Sequence, residues 1–176
     1  MIKNIYFLPM VIFLLIITGC SETSSAAAGK VSLEEQFSKH IGKGKWTIVN
    51  VWSTSCGYCR SEIPDLQDFH DAHKDQDASI LGIAIGFPDF DYPDPKTVKE
   101  FMQDYFVDFP SLIANAEQAS NLVGEYVTMI PVSFFYNPDG ELVGRLQGTI
   151  NRLEIEEMMA QSLKNPEPYV SSLQLE

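Results

Sequence analysis

The sequence predicts an α/β domain, a mixed central sheet with helices on both faces. Three observations lead there. Two short apolar, β-rich runs, Trp46–Val51 and Ser79–Ile85, have the composition of strands buried on both sides. Each is followed by a segment with apolar residues at helical spacing. A hairpin signal, Asn137-Pro138-Asp139-Gly140, then precedes a closing amphipathic stretch. Two strand–helix units, a hairpin and a last helix make a sheet that needs cover on both sides.

Taken in order, Ser32-Leu33-Glu34-Glu35 fits a capping box, and Leu33, Phe37 and Ile41 share a helical face that should end at Gly42-Lys43-Gly44-Lys45. Trp46–Val51 is the first strand. Ile63, Leu66, Phe69 and His70 recur at helical spacing from Gly57 to about His73, with a kink expected at Pro64. Ser79–Ile85 is the second strand. Phe87–Pro95 is a loop rich in Pro, Asp and aromatic residues. Asp94 followed by Pro95 reads as an N-cap opening a helix to about Phe106. Phe109–Ile113 is a short extended piece and Ala116–Tyr126 a helix. Val132–Tyr136 and Glu141–Leu146 flank the turn, and Asn151–Leu163 closes the domain. No internal repeat is present.

Composition narrows the function. The chain has 176 residues, 45% hydrophobic and 20% charged, as one globular domain requires. A formal charge of −12 argues against nucleic-acid partners, because such a surface repels phosphates. Cys56 and Cys59 stand in Trp52-Ser53-Thr54-Ser55-Cys56-Gly57-Tyr58-Cys59, directly after a strand and at the start of a helix. Backbone N–H groups and the helix dipole favour a thiolate there, which makes Cys56 the candidate nucleophile and Cys59 its partner one turn on. The other readings of the pair are half of a zinc site or an inert structural disulfide. Zinc takes four ligands, and His40, His70 and His73 have no convincing spacing to the pair. Asp89, Asp91 and Asp94 lack the pattern of a calcium loop and read as a solvated acidic loop.

The run Val49-Asn50-Val51-Trp52-Ser53-x-x-Cys56-x-x-Cys59-Arg60-x-Glu62-x-Pro64, with Met129-Ile130-Pro131-Val132-Ser133-Phe134-Phe135, Asp139-Gly140 and Gly148, resembles the TlpA/ResA-like family of membrane-anchored, extracytoplasmic thiol–disulfide oxidoreductases. The resemblance covers about residues 31 to 163 and implies the thioredoxin fold. It also implies a cis bond before Pro131, with Ile130 and Pro131 beside the cysteines where a substrate chain binds. Trp52 is expected to pack by the disulfide, limit water access and contribute to that binding surface, the alternative being a core tryptophan. Glu62 is expected to help move the proton of the buried thiol, the alternative being a carboxylate placed for the helix dipole. Asn50 departs from thioredoxin itself, which carries a proton-accepting Asp at this place. Gly57-Tyr58 departs from reducing members that carry Pro before the second cysteine, which leaves an oxidase or isomerase open. A thiol peroxidase is disfavoured because Val49 stands where its motif needs Pro. A non-catalytic metal- or partner-binding module is the remaining alternative.

Lys3, the apolar stretch Ile5–Ile17 and Thr18-Gly19-Cys20 have the form of a leader, and Ile17–Cys20 resembles a bacterial lipobox. Residues 1–19 are therefore expected to be a signal peptide and Cys20 a lipidated anchor. Residues 20–30 then form a tether, 31–164 the folded domain and 165–176 a tail. With Cys20 used as the anchor, Cys56 and Cys59 are left as a pair. The expected setting is the cell envelope, outside the cytoplasm, with Ser21 resembling the pattern of outer-membrane lipoproteins. Expected partners are protein thiols and disulfides, a membrane electron-donor protein and the membrane itself. The chain is expected to act as a monomer without cofactor or metal.

Overall fold

Trp46–Trp52 (β1) is buried at every residue, as a strand with both faces covered must be. The computed structural model describes residues 31–164; the leader 1–19, Cys20, the tether to Lys30 and the tail 165–176 lie outside the described residues. After Leu33–Ser38 (α1) and β1 come Gly57–His73 (α2), Ala78–Ala84 (β2), Pro95–Asp104 (α3) and Ser111–Ile113 (β3). Ala116–Val123 (α4), Val132–Tyr136 (β4), Leu142–Gln147 (β5) and Arg152–Lys164 (α5) complete the chain. The sheet order is β3-β2-β1-β4-β5. β1, β2 and β3 run parallel, while β4 is antiparallel to both β1 and β5. This is the mixed sheet of the thioredoxin fold.

Side-chain alternation along β1 divides the core. Trp46, Ile48 and Trp52 join Ile63, Leu66 and Phe69 of α2, Val98 and Phe101 of α3, and Ile155 and Met159 of α5. Val49 and Val51 join Phe37 of α1 and Ala119 and Val123 of α4 on the opposite face. Three helices therefore cover one side of the sheet and two the other. Among the described residues no helix is long and apolar enough to cross a membrane.

The caps fall where the sequence places them. Ser32 Oγ accepts from Glu35 N at 3.1 Å, and Asp94 accepts from the N–H groups of Lys96 and Thr97. Three helix ends differ from expectation. α1 stops at Ser38, short of the expected end at Gly42. α4 stops at Val123, not Tyr126, because Gly124 takes φ +71° and its N–H bonds Ser120 O. α3 stops at Asp104, since Phe106 turns to φ +54° and leaves the helix. α2 runs through Pro64 as one element.

A close approach ties β2 to β1 and β3. Trp52 Nε1 donates to Ser111 Oγ at 3.0 Å above Gly82. A Cβ on Gly82 would lie 2.5 Å from Ser111 Oγ and 2.9 Å from Trp52 Nε1. Gly82→Ala should thus destabilise the protein by about 2–4 kcal/mol, through overpacking and a buried indole N–H without its acceptor. Denaturant unfolding of the full-length chain measures this. Gly57→Ala, where an added Cβ meets nothing within 4 Å, should be neutral or mildly stabilising in the same measurement.

Candidate active site

The redox pair sits at the junction of β1 and α2. Cys56 is the N-cap of α2, with extended backbone (φ −87°, ψ 114°), and its Sγ accepts from the N–H of Cys59 at 3.2 Å. That donor is one of the helix N–H groups left without a carbonyl, and it would stabilise negative charge on the sulfur. Cys56 and Cys59 are joined as a disulfide with Cα atoms 5.3 Å apart. Cys56 keeps 4% exposure and Cys59 none, so one sulfur is at the surface and the other behind it.

β4 supplies the second wall. Val132 pairs with Val51 near the end of β1, which brings the preceding residues beside Cys56. The Ile130–Pro131 peptide is cis, and the Ile130 carbonyl oxygen lies 4.0 Å from Cys56 Sγ. An apolar groove of about 560 Å³ opens here, bordered by Cys56, Tyr58, Ser61, Phe87 and Ile130. Tyr58 is 76% exposed, so its ring is available at the groove's rim. Phe87 is held in place by its carbonyl, which accepts from Ser55 Oγ at 2.8 Å.

Glu62 lies one turn beyond Cys59 and is 2% exposed. Its Oε1 accepts from Asn50 Nδ2 and its Oε2 from the N–H of Ile150, each at 2.9 Å. Asn50 Nδ2 also donates to Ser133 Oγ at 3.1 Å. Burial pushes the Glu62 carboxyl up to about 7; the two donors pull it down in part, and the Asp65 carboxylate adds to the rise. A carboxyl poised near neutrality can both take and release a proton at ordinary pH.

Trp52 differs from its expected role in one respect. It is in the same core cluster as both cysteines but has no exposed surface, its ring packing on Phe101 with centroids 5.2 Å apart. It offers a client no face. The histidines are likewise used elsewhere. His70 Nδ1 accepts from Ile80 N, and His73 pairs with Asp77 and Glu156. Asp94 caps α3, and Asp91 Oδ1 accepts from Tyr92 N. Among the described residues no three His, Cys, Asp or Glu side chains gather closely enough to hold a metal. Phe87, Ser133 and the Ile150 N–H are site groups that sequence reasoning missed. An aromatic followed by Pro in the 87–95 loop was a signal for Phe87; a backbone N–H from a distant loop has none.

Comparison with known proteins follows the same line. A thiol-disulfide oxidoreductase ResA of Geobacillus kaustophilus (strain HTA426) is 28% identical over 123 residues, covering 70% of this chain and 65% of that one. The match thus spans less than two thirds of that relative's length. A thiol:disulfide interchange protein of the thioredoxin family from Chlorobium tepidum TLS has a crystal structure similar to this one, with 27% identity and a TM-score of 0.60, covering 69% of this chain and 81% of that. StoA from Bacillus subtilis is similar at 25% identity and TM-score 0.53, covering 66% of this chain and 84% of that. The AhpC/TSA family model matches residues 21–145, most of the sequence, and the chain belongs to that family.

Proposed function

We propose that this protein is a thiol–disulfide oxidoreductase that reduces disulfides of proteins outside the cytoplasm. The observation that carries this reading is the joined Cys56–Cys59 pair, with its first sulfur at an apolar groove and its second enclosed. The relatives named above, a thiol-disulfide oxidoreductase and a thiol:disulfide interchange protein, agree with it. In the reduced protein the Cys56 thiolate attacks one sulfur of a client disulfide, forming a mixed disulfide and releasing the first client sulfur as a thiolate that takes a proton from water. Glu62, as carboxylate, takes the Cys59 proton. The Cys59 thiolate then attacks Cys56 Sγ, joins the pair and releases the second client sulfur, which is also protonated. Two electrons have passed to the client. A membrane electron-donor protein returns the pair to its dithiol state.

Ile130 and Pro131 serve as the client's docking edge. Cys20 serves as the lipid anchor, holding the domain at the envelope face of a membrane, where disulfides persist. The TlpA/ResA-like resemblance makes apocytochrome c thiols in haem attachment one client class. The peroxidase reading stays disfavoured, since Val49, in the place its motif gives to Pro, is a buried β1 residue paired with Phe134. An oxidase or isomerase is a second reading, favoured by Gly57-Tyr58 between the cysteines. The reduction potential of the pair separates the two directions. A value nearer about −270 mV supports a reductant, and one nearer about −120 mV supports an oxidant.

Cys56→Ser should abolish reduction of a model protein disulfide. Cys59→Ser should make the first attack and then accumulate the mixed disulfide, seen by mass spectrometry as a client adduct. The resolution step should rise with pH through about 7, as the Glu62 carboxylate forms. Glu62→Gln should remove that inflection and slow the step by about a hundredfold; an unchanged pH–rate profile would show that Glu62 carries no proton.

Burial of Glu62 also sets a stability trend. Its folded pKa lies above the unfolded value, so the folded state binds the extra proton between about 4.5 and 7. Stability is therefore greatest below that window and falls as pH rises through it, by up to about 3 kcal/mol. Denaturation of wild type and Glu62→Gln at several pH values should show this slope in the first and not in the second.

A further inference from the structure

Proton transfer at this site faces a geometric problem. A client docked on the groove beside Tyr58, Phe87 and Ile130 covers the surface through which Cys56 meets water. Cys59 behind it has no exposure in the disulfide form, and Glu62 has 2%. Yet the Cys59 proton must leave while the client is still attached, because resolution of the mixed disulfide needs the Cys59 thiolate. A carboxyl sealed from water on all sides could accept that proton once and would then stay neutral.

Glu62 is not sealed on all sides. A second, polar cleft of about 240 Å³ reaches it between α2 and the segment entering α5. Ser61 and Asp65 border it from the helix, and Thr149 and Glu154 from across the gap. The two openings share Ser61 alone among their lining residues. The polar cleft therefore remains open to solvent when the apolar groove is filled.

The groups facing Glu62 suit proton passage better than ligand binding. Its own helix contributes Asp65, with Cys59 three residues before Glu62 in the sequence; β1 contributes the Asn50 amide, β4 adds Ser133 through Asn50, and the loop before α5 adds the Ile150 N–H. Glu154 stands on the far wall, its Oε2 accepting from Asn151 N at 2.9 Å. No Lys or Arg lines the cleft, which argues against an anionic ligand. Its carboxylates form no metal-holding group among the described residues. What remains is a hydroxyl- and carboxylate-walled space large enough for water beside a titrating acid.

We infer that this cleft is the path by which Glu62 exchanges its proton with water, so that the site discards the Cys59 proton while a client covers Cys56. The inference rests on Glu62 carrying that proton, as proposed above. The Cys59 thiol gives its proton to the Glu62 carboxylate, and the resulting carboxylic acid gives it to water in the cleft. No other reactant enters. Thr149, Asp65 and Glu154 act on the route and not on the sulfurs.

The test reads protonation itself rather than turnover. The full-length chain is taken by pH jump from above to below the Glu62 midpoint, and the carboxylic C=O stretch is followed by time-resolved infrared, with Glu62→Gln identifying the band. Thr149→Phe, which fills the cleft, should slow protonation about tenfold, whereas Thr149→Ala should leave it at or above the wild-type rate. In Cys59→Ser, a peptide held at Cys56 as a mixed disulfide should change the rate by less than about twofold relative to the same chain with Cys56 free. A wild-type rate in Thr149→Phe, or a tenfold loss caused by the peptide, would overturn the inference. The adduct comparison decides alone if Thr149→Phe does not fold. Loss of the Glu62 role would show separately, as an unaltered pH–rate profile in Glu62→Gln.

Discussion

The chemistry of this molecule depends on where α2 is made to begin. β1 is buried on both faces and takes the middle of the sheet, with β2 beside it in parallel register from Trp46–Ala78 to Trp52–Ala84. A parallel return from β1 to β2 requires a crossover, and α2 is that crossover. Its N-terminus therefore lies at the carboxyl end of a strand that cannot shift without turning its side chains to the wrong face. The unpaired N–H groups of that helix end are fixed in the same stroke, and the Cys59 N–H meets Cys56 Sγ. Antiparallel pairing of Val51 with Val132 then carries the Ile130–Pro131 segment to the same point. The sulfur, its donor and the nearby Ile130–Pro131 peptide follow from the pairing of three strands.

Glu62 is the costly part of the arrangement. Folding alone would favour an apolar residue at a position with 2% exposure, because a buried carboxylate loses its hydration. Two donors offset part of that loss and leave the group near neutrality rather than fully suppressed. Asn50 makes sense in this light. An acid at position 50 would put two carboxyls in one enclosed space, and their repulsion would drive one of them far from working pH. The amide donates to Glu62 and to Ser133 through its two N–H bonds, while its Oδ1 is buried and meets no donor among the described residues. The enclosed space then holds one carboxyl, not two.

The strands, the redox helix and the hairpin were legible because periodicity and turn chemistry are local. Ser32 and Asp94 announced their caps, and the run into Cys56 announced the strand–helix junction. Errors fell at helix ends: Gly124 is a local stop signal inside the expected span, while Phe106 takes left-handed backbone that its residue type does not announce. Cys56, Cys59 and Glu62 could be read from spacing along one helix. The tuning of Glu62 could not, because the Ile150 N–H arrives from 88 residues away. For Trp52 the sequence left a place by the disulfide and a plain core position side by side, and alternation along β1 turns the indole inward to Ser111 and Phe101. Phe87 was hidden by a loop whose path depends on partners outside it.

That loop bears on how the groove recognises anything. Phe90 takes φ +59°, a conformation a bulky side chain seldom adopts, so it persists where surrounding bonds impose it. Here its carbonyl accepts from Ala116 N at 2.9 Å, and Gly86 N reaches back to Asp91 O at 2.6 Å. The Phe87 and Phe90 rings meet edge to face at 5.8 Å. With the Phe87 carbonyl bound to Ser55 Oγ, the loop is fastened both to the turn before Cys56 and to the start of α4. A wall fastened in this way would, on the proposed reading, need little ordering when a client binds. On the proposed reading, discrimination among clients would fall to the side chain next to the client's cysteine, since Phe87, Tyr58 and Ile130 border the groove at Cys56.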